Sequence, residues 1–121
     1  MNILTEHNVS ATPKNAAKLE AHEQNRLLDY LNDWHLVSIN NVDKLQRVFV
    51  LKDFLSAMDF ANGVTTLAEQ EDHHPSVLIE WGKVTINWWS HSIKGLHLND
   101  FAMASRLSLI HISEPTRQVP I

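Results

Sequence analysis

The sequence predicts an α+β fold in which a single four-stranded antiparallel sheet carries helices on one face. Two observations lead to this prediction. Two segments with an extended pattern each fold back around a turn, and segments with helical spacing precede, separate and follow these hairpins. The resulting order is α-β-β-α-β-β-α. Because an antiparallel sheet with one polar face needs only one covering layer, we expect the helices on the same side.

The first half of the chain contains a helix and a hairpin. Leucines recur among charged residues over 16–31, which indicates a short amphipathic helix. Trp34 opens a run of β-forming residues that reaches Ile39, and the extended pattern resumes over 45–51. The residues between these two strands favour a turn: Asn40, Asn41 and Asp43.

The longest element of the chain is a central helix. Asp53 is suited to cap its N-terminus, and apolar residues recur at spacings of three and four as far as about Glu71. Pro75 prevents its continuation and biases His74 toward extended backbone, since the proline ring clashes with a helical residue before it.

A second hairpin and a final helix complete the chain. The strands cover 76–81 and 84–89, with Gly82 and Lys83 at the turn between them. After Gly95, helical spacing resumes at about Leu98, and we expect Asn99 to cap this last helix.

Composition limits the classes of protein to which the chain can belong. Its 121 residues make one ordinary domain, and 44% hydrophobic with 20% charged residues is typical of a globular protein. Ten Lys and Arg residues are scattered along a chain of formal net charge −4, so we expect no direct nucleic-acid binding. The absence of cysteine excludes disulfides, thiolate nucleophiles and thiolate zinc sites.

Neither a targeting segment nor a membrane span is visible in the sequence. The N-terminus lacks a basic segment followed by an apolar one, and no stretch approaches the roughly 18 apolar residues of a membrane helix. We therefore expect a cytoplasmic protein without membrane contact. Residues 1–15 form a polar run without periodicity, so we expect a flexible arm ahead of a domain that spans 16–109.

Histidine is frequent, with eight residues against ten Lys plus Arg. Imidazole exchanges protons near neutral pH, so this count points to a function that uses it. His73 and His74 join the central helix to the third strand, and His91 follows the fourth strand. If these strands pair about the Gly82 turn, His91 comes level with residues 74–76. Imidazoles beside carboxylates supply an acid and a base near pH 7, and the nearby carboxylates are Glu69, Asp72 and Asp100.

Two other interpretations of these histidines stay open on spacing alone. The His73-His74 pair could cap the end of the central helix, where the helix dipole favours a cation by about 0.3 to 1 kcal/mol. Three histidines and a carboxylate also resemble a catalytic zinc shell, although no His-x-x-x-His spacing is present. We expect the other histidines on the surface or in turns, namely His7, His22, His35, His97 and His111.

The histidines belong to a more specific motif, Glu69-x-x-Asp72-His73-His74-Pro75, which is followed by Ser90-His91 and by Asp100. Further recognisable motifs are Trp34 at the start of a strand, Arg47-Val48-Phe49, Lys52-Asp53-Phe54, Trp81, Lys83-Val84 and Gly95-Leu96. Together these motifs resemble the pterin-4a-carbinolamine dehydratase family, some members of which are also dimerisation cofactors of a homeodomain transcription factor. The resemblance covers about residues 27–109.

The resemblance implies a dehydratase that eliminates water from a 4a-hydroxytetrahydropterin, giving a quinonoid dihydropterin for recycling of a tetrahydrobiopterin-type cofactor. It implies no metal and no organic cofactor. The family's histidines fall on His73, His74 and His91, and its supporting carboxylates on Glu69 and Asp100. We expect His73 and His91 to share the acid and base work, and His74 to bind or protonate the pterin. Glu69 is expected to orient or charge an imidazole.

The resemblance also bears on the surroundings of the site and on assembly. We expect Asp72 beside the histidines, and Pro75 to hold His74 extended. Trp34 could wall the pocket, although core or interface packing is the better expectation for every tryptophan here. One residue of the Trp88-Trp89 pair should face outward, and the family implies a homodimer or homotetramer. A transcription-factor partner, with a nuclear location, is the alternative function.

The C-terminal residues depart from the family pattern. From about Ser108 the sequence resembles the translation of a sequencing-adapter segment, and Pro115 and Pro120 forbid a continuing helix. We therefore expect the tail 110–121 to be foreign to the natural protein and the final helix to be truncated.

Overall fold

The computed structural model describes the backbone of residues 3–113 and the side chains of residues 3–110. The α+β class and the single four-stranded antiparallel sheet are confirmed within this range. No helix in it is long and apolar enough to cross a membrane. The elements are α1 (Ile3–Glu6), α2 (Ala21–Leu28), β1 (His35–Ile39), β2 (Val42–Val50), α3 (Phe54–Glu71), β3 (Ser76–Glu80), β4 (Lys83–Trp88) and α4 (Leu98–Ser113).

Two tight hairpins build the sheet, whose strand order is β1-β2-β4-β3. Asn40 and Asn41 connect β1 to β2 with φ angles of 53° and 64°. Two successive left-handed residues match the right-handed twist of paired strands, and asparagine tolerates that conformation. Gly82, with φ 75°, supplies the left-handed residue of the second hairpin. The turn chemistry of the sequence therefore fixes both hairpins.

The register of β2 with β4 separates a buried face from an open face. Leu45 lies opposite Trp88 and Phe49 opposite Val84, and all four side chains are buried. Helices α3 and α4 both contact the sheet, and α3 buries an apolar stripe that includes Ala57, Phe60, Val64 and Leu67. The alternate side chains project from the open face, so the helices occupy one side only. Several apolar side chains remain exposed on that open face: Ile39, Val48, Val50 and Leu78.

An aspartate caps each end of helix α3. Ser56 donates its backbone N–H to Asp53 Oδ1 over 2.8 Å, and this hydrogen bond lowers the pKa of Asp53 below its usual value. At the other end Asp72 adopts the left-handed conformation with φ 50°, which stops the helix and turns the chain toward β3. A single residue, Asp72, thus separates the last helical residue, Glu71, from the histidine pair.

Helix α2 is shorter than the predicted 16–31. It starts after Glu20, whose backbone N–H donates to Glu23 Oε1 over 3.4 Å. Just before it, the Leu19 N–H donates to the Leu96 carbonyl over 2.8 Å, which ties this part of the chain to the segment ahead of α4.

Within the residues that the structure describes, the N-terminal segment expected as a flexible arm contacts the rest of the molecule. Leu4 in α1 is fully buried and belongs to the core. Residues 7–19, which we call the strap, then cross the end of the sheet near Gly95. A Cβ atom on Gly95 would lie only 2.8 Å from Lys18 Cδ, so glycine permits this close passage.

The expected boundary between the domain and the tail does not coincide with a break in secondary structure. Helix α4 continues past residue 109 and ends at Ser113. Residues 114–121, most of the tail that we expected to be foreign, lie outside the described residues.

Replacing Phe49 by alanine tests the buried face. Phe49 is 1% exposed and packs against the rings of Trp34 and Phe60. We expect Phe49→Ala to lower the free energy of unfolding by about 3–5 kcal/mol in urea titrations. Val50→Ala, at a neighbouring position that is 76% exposed, is the control and should cost about 1 kcal/mol or less. Equal losses in the two variants would contradict the assignment of the faces.

Candidate active site

Three segments meet at one end of the sheet. The first is the chain leaving α3 at Asp72, and the second is the strap. The third is the loop after β4, which is closed by the Ser90 N–H donating to the Gly95 carbonyl over 2.8 Å. Each segment carries polar side chains toward the others. Their meeting point is a tertiary feature, since they come from residues near 10, 72 and 91.

A cavity of about 220 Å³ lies between these segments. The structure brings His73, His74 and His91 together with Asp72 in its wall. Four further lining residues were not singled out as site residues from the sequence: Ala11, Thr12, Ser90 and Ser92.

His73 is the buried histidine of the cavity, with only 5% of its surface exposed. Its Nε2 donates to Asp100 Oδ1 over 2.6 Å, and its ring stacks on Trp88 at an interplanar angle of 9°. The hydrogen bond and the stacking fix both the tilt and the rotation of the ring. A carboxylate that accepts from one ring nitrogen also sets the tautomer of a neutral imidazole.

Asp100 is fully buried, so its carboxylate depends on hydrogen bonds for stability. While Oδ1 accepts from His73, Oδ2 accepts from the Ser90 hydroxyl over 2.8 Å and from the His97 backbone N–H over 3.0 Å. Asp100 also lies in the first turn of α4, where the helix dipole favours a negative charge. This buried carboxylate therefore links α4, the loop after β4 and the histidine pair.

His74 and Glu69 form a second, exposed pair. His74 Nε2 donates to Glu69 Oε2 over 2.6 Å, although both side chains are largely open to solvent. An exposed pair of this kind contributes little to stability, so its contact chiefly orients the ring. Glu69 lies in the last turn of α3, and Pro75 follows His74 directly before β3.

His91 reaches the pair from the loop after β4. The register, with Ser76 opposite Asn87, places His91 beyond the end of the sheet and not level with residues 74–76 as expected. The His91 ring nevertheless lies next to the His73-His74 pair, since its Nε2 donates to the His74 carbonyl over 3.1 Å. The predicted proximity therefore holds in the structure, but the predicted register does not.

The indole of Trp89 stacks against the His91 ring. The two rings stack with centroids 4.1 Å apart, and Lys44 Nζ lies 3.8 Å from the centroid of the same indole. Trp88 is fully buried whereas Trp89 is half-buried on the open face. The alternation of side chains along the strand thus places one tryptophan on each face, as expected. Each indole stacks against a histidine ring.

The three histidines share one arrangement of their nitrogens. In each ring Nε2 donates to a protein oxygen, whether a carboxylate of Asp100 or Glu69 or a backbone carbonyl. In the neutral ring this leaves Nδ1 as the nitrogen that can accept a proton. The site therefore offers three imidazoles with a defined tautomer around one cavity.

Trp34 lies away from this cavity, contrary to the suggestion that it walls the pocket. It is 3% exposed, donates from Nε1 to Ser108 Oγ over 2.9 Å, and meets Phe49 edge to face. It is a core residue at the start of β1, which is the packing role that a large aromatic residue most often has.

The cap of α4 is His97 and not Asn99 as expected. His97 Nδ1 accepts the backbone N–H of Asn99 over 3.0 Å, while Asp100 accepts the backbone N–H of His97. This is a capping box with histidine in the place of serine or threonine. Burial lowers the pKa of His97, opposed by the charge of Asp100 and aided by the nearby His7 and His73. The neutral ring that results is the form able to accept this hydrogen bond.

The two other interpretations of the histidines find no support in these contacts. The rings of His73 and His74 bind carboxylates, and the left-handed Asp72 ends α3 in their place. In the part of the chain that the structure describes, no group of three or more His, Asp or Glu side chains is arranged to hold a metal ion.

The lining residues that were missed differ in how far the sequence pointed to them. Ser90 stands in the Ser90-His91 motif, and its position beside a site histidine was the clue to a role. Thr12 had no comparable signal, because the polar run around it lacks any periodicity. Its place in the wall depends on where the strap crosses the molecule.

Comparisons with known proteins identify the family of the chain. The family model described as pterin 4 alpha carbinolamine dehydratase matches residues 17–110. A Vibrio vulnificus protein is 47% identical over 108 residues, which cover 89% of this chain and 98% of the relative. A Chlorobaculum tepidum protein is 53% identical over 91 residues, covering 75% and 82%. Both are provisionally named pterin-4-alpha-carbinolamine dehydratases.

Solved structures extend the comparison to the fold. The crystal structure of a transcriptional coactivator/pterin dehydratase from Brucella melitensis superposes with a TM-score of 0.69 at 29% identity, covering 78% of this chain and 98% of that one. A pterin dehydratase-like protein described as a RuBisCO assembly factor of the α-carboxysome shares the fold, with a TM-score of 0.55 at 18% identity, covering 65% and 89%.

The fold and the cavity define a small α+β protein that gathers three histidines at one end of an antiparallel sheet. With the family model and the relatives in agreement, the chain belongs to the pterin 4 alpha carbinolamine dehydratase family. The resemblance inferred from the sequence is confirmed.

The His97 cap predicts a pH-dependent stability. Because the folded state lowers the pKa of His97 below 6.5, the unfolded chain binds its proton first as the pH falls. The stabilisation is therefore present above about pH 6.5 and is lost below it. We expect His97→Ser, which keeps a capping oxygen, to reduce the fall in the free energy of unfolding between pH 7 and pH 5.

Urea unfolding at a series of pH values measures this effect. His22→Ser, at an exposed histidine in α2, is the matched control and should keep the wild-type pH dependence. Identical pH dependence in the wild type and in His97→Ser would show that His97 does not couple protonation to folding.

Proposed function

We propose that the protein is a dehydratase that eliminates water from a 4a-hydroxytetrahydropterin. The observation that carries the proposal is the convergence of His73, His74 and His91 on one cavity in a member of this family. In each ring Nε2 donates to an oxygen of the protein, and Nδ1 remains for proton exchange.

The reaction needs one acid and one base. The bond between C4a and the hydroxyl oxygen breaks while that oxygen receives a proton and leaves as water. The adjacent ring nitrogen loses a proton, and a carbon–nitrogen double bond forms. No electron is transferred, so the step requires proton donors and acceptors alone. Histidine is the side chain best suited to both roles near neutral pH.

We assign the acid and base work to His73 and His91. Asp100 and Trp88 fix the His73 ring from two sides, which leaves Nδ1 in a defined direction for proton transfer. His91 lines the same cavity, is exposed, and stacks on Trp89. A buried, fixed imidazole together with an accessible one suits a reaction in which one group takes a proton and another gives one.

His74 is assigned to binding or protonating the pterin, with Glu69 orienting or charging its ring. His74 lines the cavity and both side chains of the pair are exposed, so the ring is accessible to a substrate. Asp72 lines the cavity beside this pair. Pro75 restricts the backbone before it, which keeps His74 extended.

The proposed product is a quinonoid dihydropterin. Such a product suits recycling of a tetrahydrobiopterin-type cofactor after aromatic amino-acid hydroxylation, and we propose that the protein serves this role in the cytoplasm. The assigned chemistry uses side chains alone, without a metal or an organic cofactor.

Histidine variants test the assignment. We expect His73→Ala and His91→Ala each to slow dehydration by about 10²- to 10⁴-fold, the usual contribution of a general acid or base. The decay of a 4a-hydroxytetrahydropterin, followed by ultraviolet absorbance, measures the rate. His22→Ala, at an exposed position on α2, is the control and should retain wild-type activity. Unchanged rates in both site variants would remove the catalytic assignment.

A second candidate function is binding to a protein partner, including a transcription factor. It is favoured by the similarity to a coactivator/pterin dehydratase and by exposed apolar residues on the open face of the sheet. We also propose that the chain forms a homodimer or homotetramer. The same open face would supply the apolar area, and Trp81 at the tip of the β3–β4 hairpin is 73% exposed.

A charged substitution on the open face tests the proposed assembly. Leu78, which is 56% exposed at the centre of β3, projects from this face. We expect Leu78→Glu to convert the oligomer to monomer, because a charge buried in an apolar interface is strongly unfavourable. Sedimentation equilibrium measures the mass, with Glu69→Gln on α3 as the control. A monomeric wild type, or an unchanged assembly of Leu78→Glu, would contradict the proposed interface.

A further inference from the structure

A continuous chain of side-chain hydrogen bonds runs from the strap to the buried carboxylate. His7 Nε2 donates to Asn99 Oδ1 over 2.7 Å, and Asn99 Nδ2 donates to Thr12 Oγ1 over 2.9 Å. The hydroxyls of Thr12 and Ser90 lie 2.9 Å apart. Ser90 in turn donates to Asp100 Oδ2 over 2.8 Å. The chain therefore joins the strap to the carboxylate that holds His73.

The direction of the central hydrogen bond follows from counting hydrogens. A serine hydroxyl has one hydrogen, and that of Ser90 is committed to Asp100, because a carboxylate can only accept. Thr12 must therefore be the donor to Ser90, while its own oxygen accepts from Asn99. Every donor in the chain points toward Asp100. Hydrogen bonds aligned in this way polarise and strengthen one another.

Three side chains, one from the loop after β4 and two from α4, hold the strap in place. Ser92 Oγ donates to the Thr12 carbonyl over 2.8 Å, and Asn99 Nδ2 also donates to the Ser10 carbonyl over 3.0 Å. Arg106 pairs with Glu71 at the end of α3 and donates to the His7 carbonyl. Asn99 is only 3% exposed, so its amide is committed to these contacts. Thr12 consequently has a fixed position in the cavity wall.

We propose that Thr12 is a positioning residue for the reaction, acting through Ser90 on Asp100 and so on His73. This inference rests on the proposed dehydratase function. Without the Thr12 donor, the Ser90 hydroxyl gains freedom to rotate, and Asp100 Oδ2 keeps only the His97 backbone N–H as a fixed donor. The carboxylate that holds the His73 ring is then less firmly placed, and proton transfer slows because the reacting atoms are less well aligned.

The proposal separates an effect on turnover from an effect on binding. Thr12 lines the cavity, but its hydrogen is committed to Ser90 and so does not serve the substrate. Loss of the hydroxyl should therefore lower kcat and leave KM nearly unchanged. A residue that merely shaped the cavity would change KM instead.

Thr12→Val and Thr12→Ser are the decisive variants, because valine removes the hydroxyl at nearly constant shape and serine restores it. We expect Thr12→Val to lower kcat about tenfold, as for the loss of one hydrogen bond, and to change KM less than about twofold. Thr12→Ser should retain most of the wild-type kcat. Thr65→Val, which removes an exposed hydroxyl on α3, is the matched control and should keep wild-type kinetics.

A spectroscopic measurement tests the positioning without turnover. The imidazole nitrogen resonances of His73 report its hydrogen bond to Asp100. We expect Thr12→Val to shift the Nε2 resonance, while Thr12→Ser and Thr65→Val leave it near its wild-type position. Thermal melting of each variant verifies that the fold is intact.

The outcomes distinguish the two proposals. If the wild type dehydrates no pterin, the proposed function fails, and the His73 resonance alone decides whether Thr12 positions the pair. An unshifted resonance in Thr12→Val overturns the inference. With an active wild type, it is also overturned if Thr12→Ser is as slow as Thr12→Val, or if KM rises while kcat does not change.

Discussion

The buried carboxylate of Asp100 is the constraint on which the rest of the site depends. A charge removed from water is tolerated only where hydrogen bonds replace its hydration, and here the donors come from His73, Ser90 and the backbone of His97. To supply them, the end of α3, the loop after β4 and the start of α4 must all meet at one point. The geometry of the cavity follows from this requirement.

The strap adds a second layer around that carboxylate. Thr12 of the strap, itself held by Asn99 of α4, donates to the Ser90 hydroxyl that holds Asp100. The missing side chain of Gly95 leaves room for Lys18 to pass. Stability and chemistry are linked as a result. The same residue, His97, caps α4 with its ring and donates its backbone N–H to Asp100. Protonation of His97 would therefore disturb both the helix end and the support of the site.

The agreement between sequence and structure differs from element to element. The hairpins followed from Asn40, Asn41 and Gly82, because a two-residue turn depends on the conformations that these residues tolerate. The histidines were placed together correctly, although the register of β3 with β4 was not. Trp34 and the cap of α4 were misplaced, since the partners that decide them, Ser108 and Asp100, are supplied by packing.

The sequence by itself determined the class of fold, the two hairpins, the family and the histidines that belong together. These depend on periodicity, turn chemistry and short motifs, which are local properties of the chain. Only the tertiary structure decided that the first nineteen residues include a strap over the site, that His97 caps α4, and that Thr12 and Ser90 lead to Asp100. Hydrogen bonds between residues up to 99 positions apart leave no periodic trace in the sequence, because each partner is selected by its place in space.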